Sequence, residues 1–366
     1  MKVVHITTIH KRYDSRVFYK ECVSLAFRGF ETYLIVADSK GDEVKDGVNI
    51  IDVGADSSRV KQLFYASYRA YKKAKSLKAD IYHFHDADFF LFVKKLQTKH
   101  NRVFFDSHED FPQLMLQRAY IPNCLRSFLF RTTTAIEKNI TKHISGVITA
   151  TEHIEEKFKR YGVQRTQTVM NFPIIENQYS TEKKANNDFV ACYVGGLTQV
   201  RGVTQMVLAC AEAGVKLLLV GPFDSQAYLE ELKGLPQWKS VEYMNFVPHS
   251  ELHQRVYGKA SVGLCLLQKA PNHTYSIPIK QLEYMQEGLP VVTTTQVEFC
   301  KYITKETNCG LCVCPTDIKE IADAILTLKN NPSLCNQMSA NGKRAIKEKY
   351  NWAKEEEKLI SFYNAR

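Results

Sequence analysis

The run Ser276-Ile277-Pro278-Ile279-Lys280-Gln281-Leu282-Glu283-Tyr284-Met285-Gln286-Glu287-Gly288-Leu289-Pro290-Val291-Val292-Thr293-Thr294 has three parts. It reads as a tight turn, a short helix opened by the proline-containing segment and closed at Gly288, and a buried strand from Pro290 to Thr294. A helix N-terminus suits a diphosphate, because its first amides have no intrahelical partner and its dipole favours anions. Ser276 and Lys280 add a hydroxyl and a cation at that end. Glu283, one turn further in, is placed to accept both hydroxyls of a ribose. The spacing alone also fits an ordinary capped helix ahead of a strand.

Upstream, Phe189 to Val194 is a strand, Gly195-Gly196-Leu197-Thr198-Gln199-Val200-Arg201-Gly202 a turn, and Val203 to about Ala213 a helix. Lys216 to Val220 is the next strand, with Gly221 at its end open to a ligand. Glycines at a strand-to-helix turn let the backbone approach a phosphate, and Arg201 is placed to reach a diphosphate. Val241 to Val247 and Ala260 to Leu267 are further strands, the second leading to Pro271, Asn272 and His273.

The N-terminal half repeats the pattern. Lys2 to Thr7 is a strand, about Val17 to Arg28 a helix and Thr32 to Ala37 a strand, the opening of a doubly wound parallel sheet. The loop between the first strand and the helix carries Arg12 and Arg16, read either as phosphate-neutralising cations or as solvated loop charges. The runs Asp80–Asp88 and Val103–Asp110 each drive a strand into a polar cluster, so His85, Asp86, His108 and Glu109 are expected to gather at one sheet edge, as an active-site rim. Residues 174–188 are polar and aperiodic and read as a linker. The expected units are 1–173 and 189–351.

Length and composition agree: 366 residues with 45% hydrophobic content supply two cores. A formal charge of +10 calls for an anionic partner, a nucleotide, a phospholipid headgroup or nucleic acid. The basic residues follow no nucleic-acid recognition motif, so no nucleic acid is expected. From Arg59 to Lys78 seven Lys or Arg occur with no acid, interleaved with Phe64, Tyr65, Tyr68 and Tyr71. That suits an anionic membrane surface, or equally a helix with a core face and a solvated basic face. Residues 118–131 are also acid-free, with Leu125, Phe128 and Leu129 on one helical face. The short apolar start is no signal peptide and no segment approaches a membrane span, so a cytoplasmic protein, peripheral on the membrane, is expected. Among ten cysteines, Cys309, Cys312 and Cys314 read as a buried strand rather than a zinc site.

The central run resembles the donor-site motif of family 4 glycosyltransferases, whose pattern is a Glu, seven residues, a second Glu, a small-residue turn and a Pro-Val strand. Glu283 matches the second Glu, the ribose ligand; Tyr275 stands where the first Glu falls. The family's Gly-Arg and Lys-Gly pairs correspond to Gly195-Gly196 and Arg201-Gly202, and its strand ending in His-Glu corresponds to His108-Glu109. The resemblance implies an α/β GT-B fold, two Rossmann-like doubly wound parallel-sheet domains facing each other across a cleft, with helix 352–366 returning to the first. It implies a retaining, metal-independent sugar transfer without a cofactor, from a UDP- or GDP-linked sugar to a glycan or lipid-linked acceptor. His108, Arg201 and Lys280 are then the expected catalytic residues, with Gly195, Gly196, Gly221, Phe246, Val247, Ser276 and Glu283 at the donor and Arg16, His85, Asp86 and Glu109 on the acceptor side. A nucleotide-sugar epimerase of the same fold and a catalytically silent sugar-nucleotide binder remain open.

Overall fold

The computed structural model describes residues 1–58, 61–117, 122–175, 188–270 and 273–365. The chain divides into two compact units, Met1–Asn171 with Ala353–Arg366, and Phe172–Trp352. Most of the linker expected at 174–188, together with Arg59, Arg118, Pro271 and Asn272, lies outside the described residues.

The first unit is built on an eight-stranded sheet. Its strands are β1 (Lys2–Ile6), β2 (Glu31–Val36), β3 (Glu43–Lys45), β4 (Val48–Asp52), β5 (Ile81–Phe84), β6 (Arg102–Ser107), β7 (Gly146–Thr149) and β8 (Thr166–Thr168), in the order β3-β4-β2-β1-β5-β6-β7-β8. Among the described residues only the β3–β4 hairpin is antiparallel. The strand order reverses between β1 and β5, the position at which open α/β sheets leave a crevice beyond their carboxyl ends. One face is packed with Val4, Ile6, Tyr82, Phe84, Val103 and Phe105. Strand alternation sends His5, His83 and Phe104 to the other face, and β1 and β5 align His5 with His83. The C-terminal helix Trp352–Asn364 covers that second face: Tyr363 stacks on Phe104 at 5.3 Å and is fully buried.

The helix after β1 starts at Ser15, two residues earlier than expected, because Asp14 caps it by accepting from the backbone N–H groups of Arg16 and Val17. Its first stretch, Ser15–Cys22, winds in wide i→i+5 turns before continuing as Val23–Phe27. Such wide turns cluster at functional sites, and here they aim Arg16 and Glu21 into the interior.

The second unit holds six parallel strands, β9 (Val190–Val194), β10 (Lys216–Val220), β11 (Val241–Met244), β12 (Val262–Cys265), β13 (Val291–Thr294) and β14 (Gly310–Val313), ordered β11-β10-β9-β12-β13-β14. The reversal falls between β9 and β12. These strands are continuous apolar runs because helices cover both faces. Tyr284 shows how the sequence fixes the packing: its buried ring fills the space beside Gly263, where a Cβ would come 2.3 Å from it, and its hydroxyl accepts the Val194 N–H at 3.1 Å. Within the cysteine-rich segment Gly310–Val313 is strand and holds Cys312, while Cys309, buried, and Cys314, partly buried, flank it.

Candidate active site

Each unit gathers polar groups at the carboxyl edge of its sheet. In the first, Asp106 at the end of β6 is fully buried and receives Arg16 in a two-pronged contact, Nε to Oδ2 and Nη2 to Oδ1, both at 3.0 Å. Burial opposes its ionisation, but Arg16 and then His108 outweigh that and hold its carboxyl well below the usual range. An ionised Asp106 only accepts, so His108 Nε2 donates to it at 3.0 Å. His108 thus has one ring edge fixed, with its side chain 18% exposed.

Behind this pair lies a run of buried imidazoles. His85 Nδ1 is 3.2 Å from His108 Nε2 and 3.5 Å from Asp106 Oδ2, and His5 Nδ1 is 2.9 Å from His85 Nε2. Burial lowers His85 to about 4 and places His5 and His83 well below their ordinary value, so all three are neutral at neutral pH. His83 Nδ1 lies 2.5 Å from the Tyr363 hydroxyl. Burial and the neighbouring Asp106 push the Glu21 carboxyl well above the carboxylate range.

The structure gives the residues expected on the acceptor side, Glu109 excepted, settings other than a solvent-facing rim. Arg16 is no loop cation awaiting a phosphate: it is 3% exposed and held by Asp106, by Glu21 and by the Val169 carbonyl at 2.7 Å. Arg12 is likewise engaged, by Asp38, Glu43 and the Gly41 carbonyl. Asp86 organises the loop after β1, its Oδ2 accepting from Thr7 Oγ1 and from the Thr8 and Ile9 amides. His85 sits beneath His108 rather than on the rim. Glu109 is exposed beside it. The reading missed Asp106, His5, His83, Glu21, His10 and Tyr363. The i, i+2 spacing of His83 and His85 was the available signal, since it puts both on one strand face.

In the second unit the turn after β9 passes Gly195 (φ +148°) and Gly196, makes a short helical turn Gln199–Arg201, and enters the helix Val203–Glu212 through Gly202 (φ +77°). Gly221 (φ +136°) lies so close to it that a Cβ would meet the Gly195 carbonyl oxygen at 1.9 Å, whereas a Cβ on Gly196 would meet nothing within 4 Å. Arg201 donates to the Tyr193 hydroxyl at 3.3 Å. The Val200 carbonyl accepts the Gln268 amide at 2.8 Å, and the Gln268 carbonyl accepts from His273 Nδ1 at 3.2 Å. His273 in turn accepts the Ser276 hydroxyl at 2.9 Å. This chain of contacts joins the Arg201 turn to the start of helix Ile279–Gln286, whose N-cap, Pro278, offers no side-chain hydrogen bond. Lys280 donates to Glu283 Oε2 at 2.6 Å, and the Tyr257 hydroxyl donates to the same oxygen at 3.0 Å. Strand β11 stops at Met244, before the Val247 expected; Phe246 is 74% exposed and Val247 is buried. Gly195, Gly196, Gly221, Arg201, Ser276, Lys280 and Glu283 therefore share one sheet edge.

The model for glycosyl transferases group 1 matches residues 175–345, and that for glycosyltransferase family 4 matches residues 15–172. A capsular polysaccharide biosynthesis glycosyltransferase of Staphylococcus aureus is 24% identical over 208 residues, 56% of this chain and 52% of that relative, so the match spans about half of its length. Sucrose-phosphate synthase from Thermosynechococcus elongatus superposes with a TM-score of 0.73 at 20% identity, over 99% of this chain and 98% of that one. Anabaena HepE, solved with UDP and glucose, gives 0.69 at 14% identity over 99% and 98%.

Proposed function

The chain belongs to the family 4 glycosyltransferases, with their GT-B fold, and from that premise we propose that it moves a sugar from a nucleotide diphosphate onto an acceptor hydroxyl with retention of configuration. The observation that carries this is the carboxyl edge of the second unit. There a glycine-lined backbone, the Arg201 guanidinium and an uncapped helix N-terminus bearing Lys280 and Glu283 come together at the strand-order reversal.

Arg201 and Lys280 stabilise the departing nucleotide diphosphate as charge builds on it. These cations supply the positive charge, so the reaction needs no catalytic metal. Glu283 accepts the ribose hydroxyls; the nucleotide phosphate draws Lys280 away from the 2.6 Å contact. The acceptor oxygen attacks the anomeric carbon from the face the nucleotide leaves, and its proton passes to the departing phosphate oxygen. His108, its ring fixed by Asp106, orients the transferred sugar. Because Tyr275 replaces the family's first carboxylate, the sugar hydroxyls are read differently here. UDP, present in the HepE structure, is the first donor base to test, ahead of GDP.

The acceptor is a growing cell-surface polysaccharide or glycolipid, in line with the capsular relative. Among the described residues no helix is long and apolar enough to cross a membrane, and the basic, aromatic helix after β4, Gln62–Ala66 continuing as Ser67–Leu77, gives this chain a surface for an anionic leaflet. Incubation with a panel of nucleotide sugars tests the reading. Free nucleoside diphosphate should appear at rates that rise when acceptor is added. An epimerised sugar formed without acceptor, or binding without turnover, overturns it.

A further inference from the structure

We propose that His5, Glu21, His83 and His85 enclose a structural zinc ion inside the first unit. All four side chains are fully buried and come from three separate elements, β1, the wide-turned helix and the end of β5. One ligand atom from each lies within 4.8 Å of all the others. Glu21 Oε2 is 3.7 Å from His5 Nδ1, 3.8 Å from His83 Nδ1 and 3.8 Å from His85 Nε2, and His5 Nδ1 is 2.9 Å from His85 Nε2. A tetrahedral zinc with arms of about 2.0–2.1 Å needs ligand-to-ligand edges of about 3.3–3.5 Å. The four measured edges bracket that value, and the two that join His83 to the other imidazoles lie within 4.8 Å, so closing the site draws His83 inward.

Two features separate this cluster from a merely hydrogen-bonded core. By geometry neither oxygen of Glu21 receives a well-formed hydrogen bond among the described residues: Oε1 pairs with the Arg16 Nε at 3.0 Å, on a guanidinium that Asp106 also holds, and Oε2 points at three imidazoles. Arg16 shares its charge between the Glu21 and Asp106 carboxyls, so among the described residues Oε2 has no cation opposite it, and burying it there is costly. Secondly, the ligand His85 turns its other nitrogen, Nδ1, toward the Asp106 carboxylate at 3.5 Å. A carboxylate behind a metal-bound imidazole is the usual support that fixes its tautomer. Zinc suits three neutral imidazoles and a carboxylate closed from water, with no open position for chemistry. On His83 Nδ1 it would displace the Tyr363 hydroxyl, 2.5 Å away, which also feels the Glu21 charge. The ion would pin β1, β5 and the helix together beneath Asp106 and His108, a structural role independent of the proposed sugar transfer.

Elemental analysis of the full chain, purified with its affinity tag removed, should find about one zinc per chain. Glu21→Gln and His83→Asn should each cut this at least tenfold, while His108→Asn keeps it. Metal lost in His108→Asn would assign it instead to His85, Asp106 and His108 and overturn the proposal. If the first two variants do not fold, wild-type refolding decides. Refolded yield and melting temperature should rise with added zinc and fall with chelator, and indifference to both overturns the site.

Discussion

Arg16 grips Asp106 with two 3.0 Å contacts in a region where both side chains are almost wholly excluded from water, and Asp106 passes the constraint to His108. Removing one member of a buried pair strands the other, which typically costs about 3–5 kcal/mol. Asp106→Asn should therefore lose stability of about that size in urea unfolding and should also slow turnover. Arg16→Lys keeps the charge but not the fork, and should recover only part of the loss. A Asp106→Asn variant as stable as the parent would remove the pair from the account.

Gly221 and Gly196 separate packing from binding at the donor edge. An alanine at Gly221 drives its Cβ into the Gly195 carbonyl at 1.9 Å, in a backbone conformation that side chains rarely adopt, so Gly221→Ala should fold poorly. Gly196 faces open space. Gly196→Ala should melt within a degree or two of wild type yet bind UDP at least tenfold more weakly, about 1.4 kcal/mol, by calorimetry. Equal UDP affinity would move the phosphates away from this turn.

These two sites also show what the amino-acid order discloses and what it hides. Alternating strands and helices, with glycines just past strand ends, mark both doubly wound sheets, because local periodicity and backbone freedom are properties of short segments. Arg16 illustrates the limit. In a polar loop it reads as a solvent-facing cation, and only the parallel register of β1, β5 and β6 brings Asp106, 90 residues away, against it. A single histidine in an apolar strand, such as His5, carries little signal, and its alignment with His83 arises from strand pairing across the sheet. Asp86 was seen, but the three donors that occupy it belong to a loop whose path is set by the fold.

Glu283 holds both Lys280 and Tyr257 through one oxygen. Glu283→Ala should weaken UDP binding by about 1.5–3 kcal/mol, the scale of a hydrogen bond to a charged group. Lys280→Ala should act mainly on turnover, since its charge is most needed as the diphosphate departs. Steady-state kinetics paired with calorimetry distinguishes the two. A Lys280→Ala variant that alters KM alone would assign the lysine to ground-state binding.

His10 lies 3.8 Å from Asp14, the cap of the wide-turned helix, and 3.6 Å from Asp86. Burial opposes its charge, but Asp14, Asp86 and Asp106 prevail and raise its pKa. Asp14 is lowered, burial being outweighed by His10 and by the Val17 and Arg16 amides. A raised histidine contributes fully below its unfolded value near 6.5 and loses that contribution as pH climbs through the folded value. A lowered aspartate contributes above its unfolded value near 3.8 and loses that as pH falls. The pair should stabilise most between these values. The melting-temperature gap between wild type and His10→Gln should peak from about pH 4 to 6.5 and narrow on either side; a flat gap would deny the coupling.

The helix after β4 turns its small residues inward: Ala66, Ser67, Ala70 and Ala74 are fully buried, while Phe64, Tyr65 and Tyr68 are 49%, 61% and 45% exposed. Lysines flank the rings, with Lys72 5.3 Å from the Tyr68 centroid and Lys75 5.7 Å from that of Tyr71. Leu125 and Phe128 are likewise exposed on the helix Asn123–Thr141. Exposed aromatics among cations at the surface fit an anionic lipid leaflet, where each basic residue contributes about 1 kcal/mol. The protein should sediment with vesicles containing phosphatidylglycerol and not with purely phosphatidylcholine vesicles, and the binding should weaken as salt screens it. Replacing Phe64, Tyr65 and Tyr68 together with serine should release the protein from vesicles without lowering its melting temperature, since none of the three fills the core. Retained binding in that variant would shift the contact to other basic surfaces.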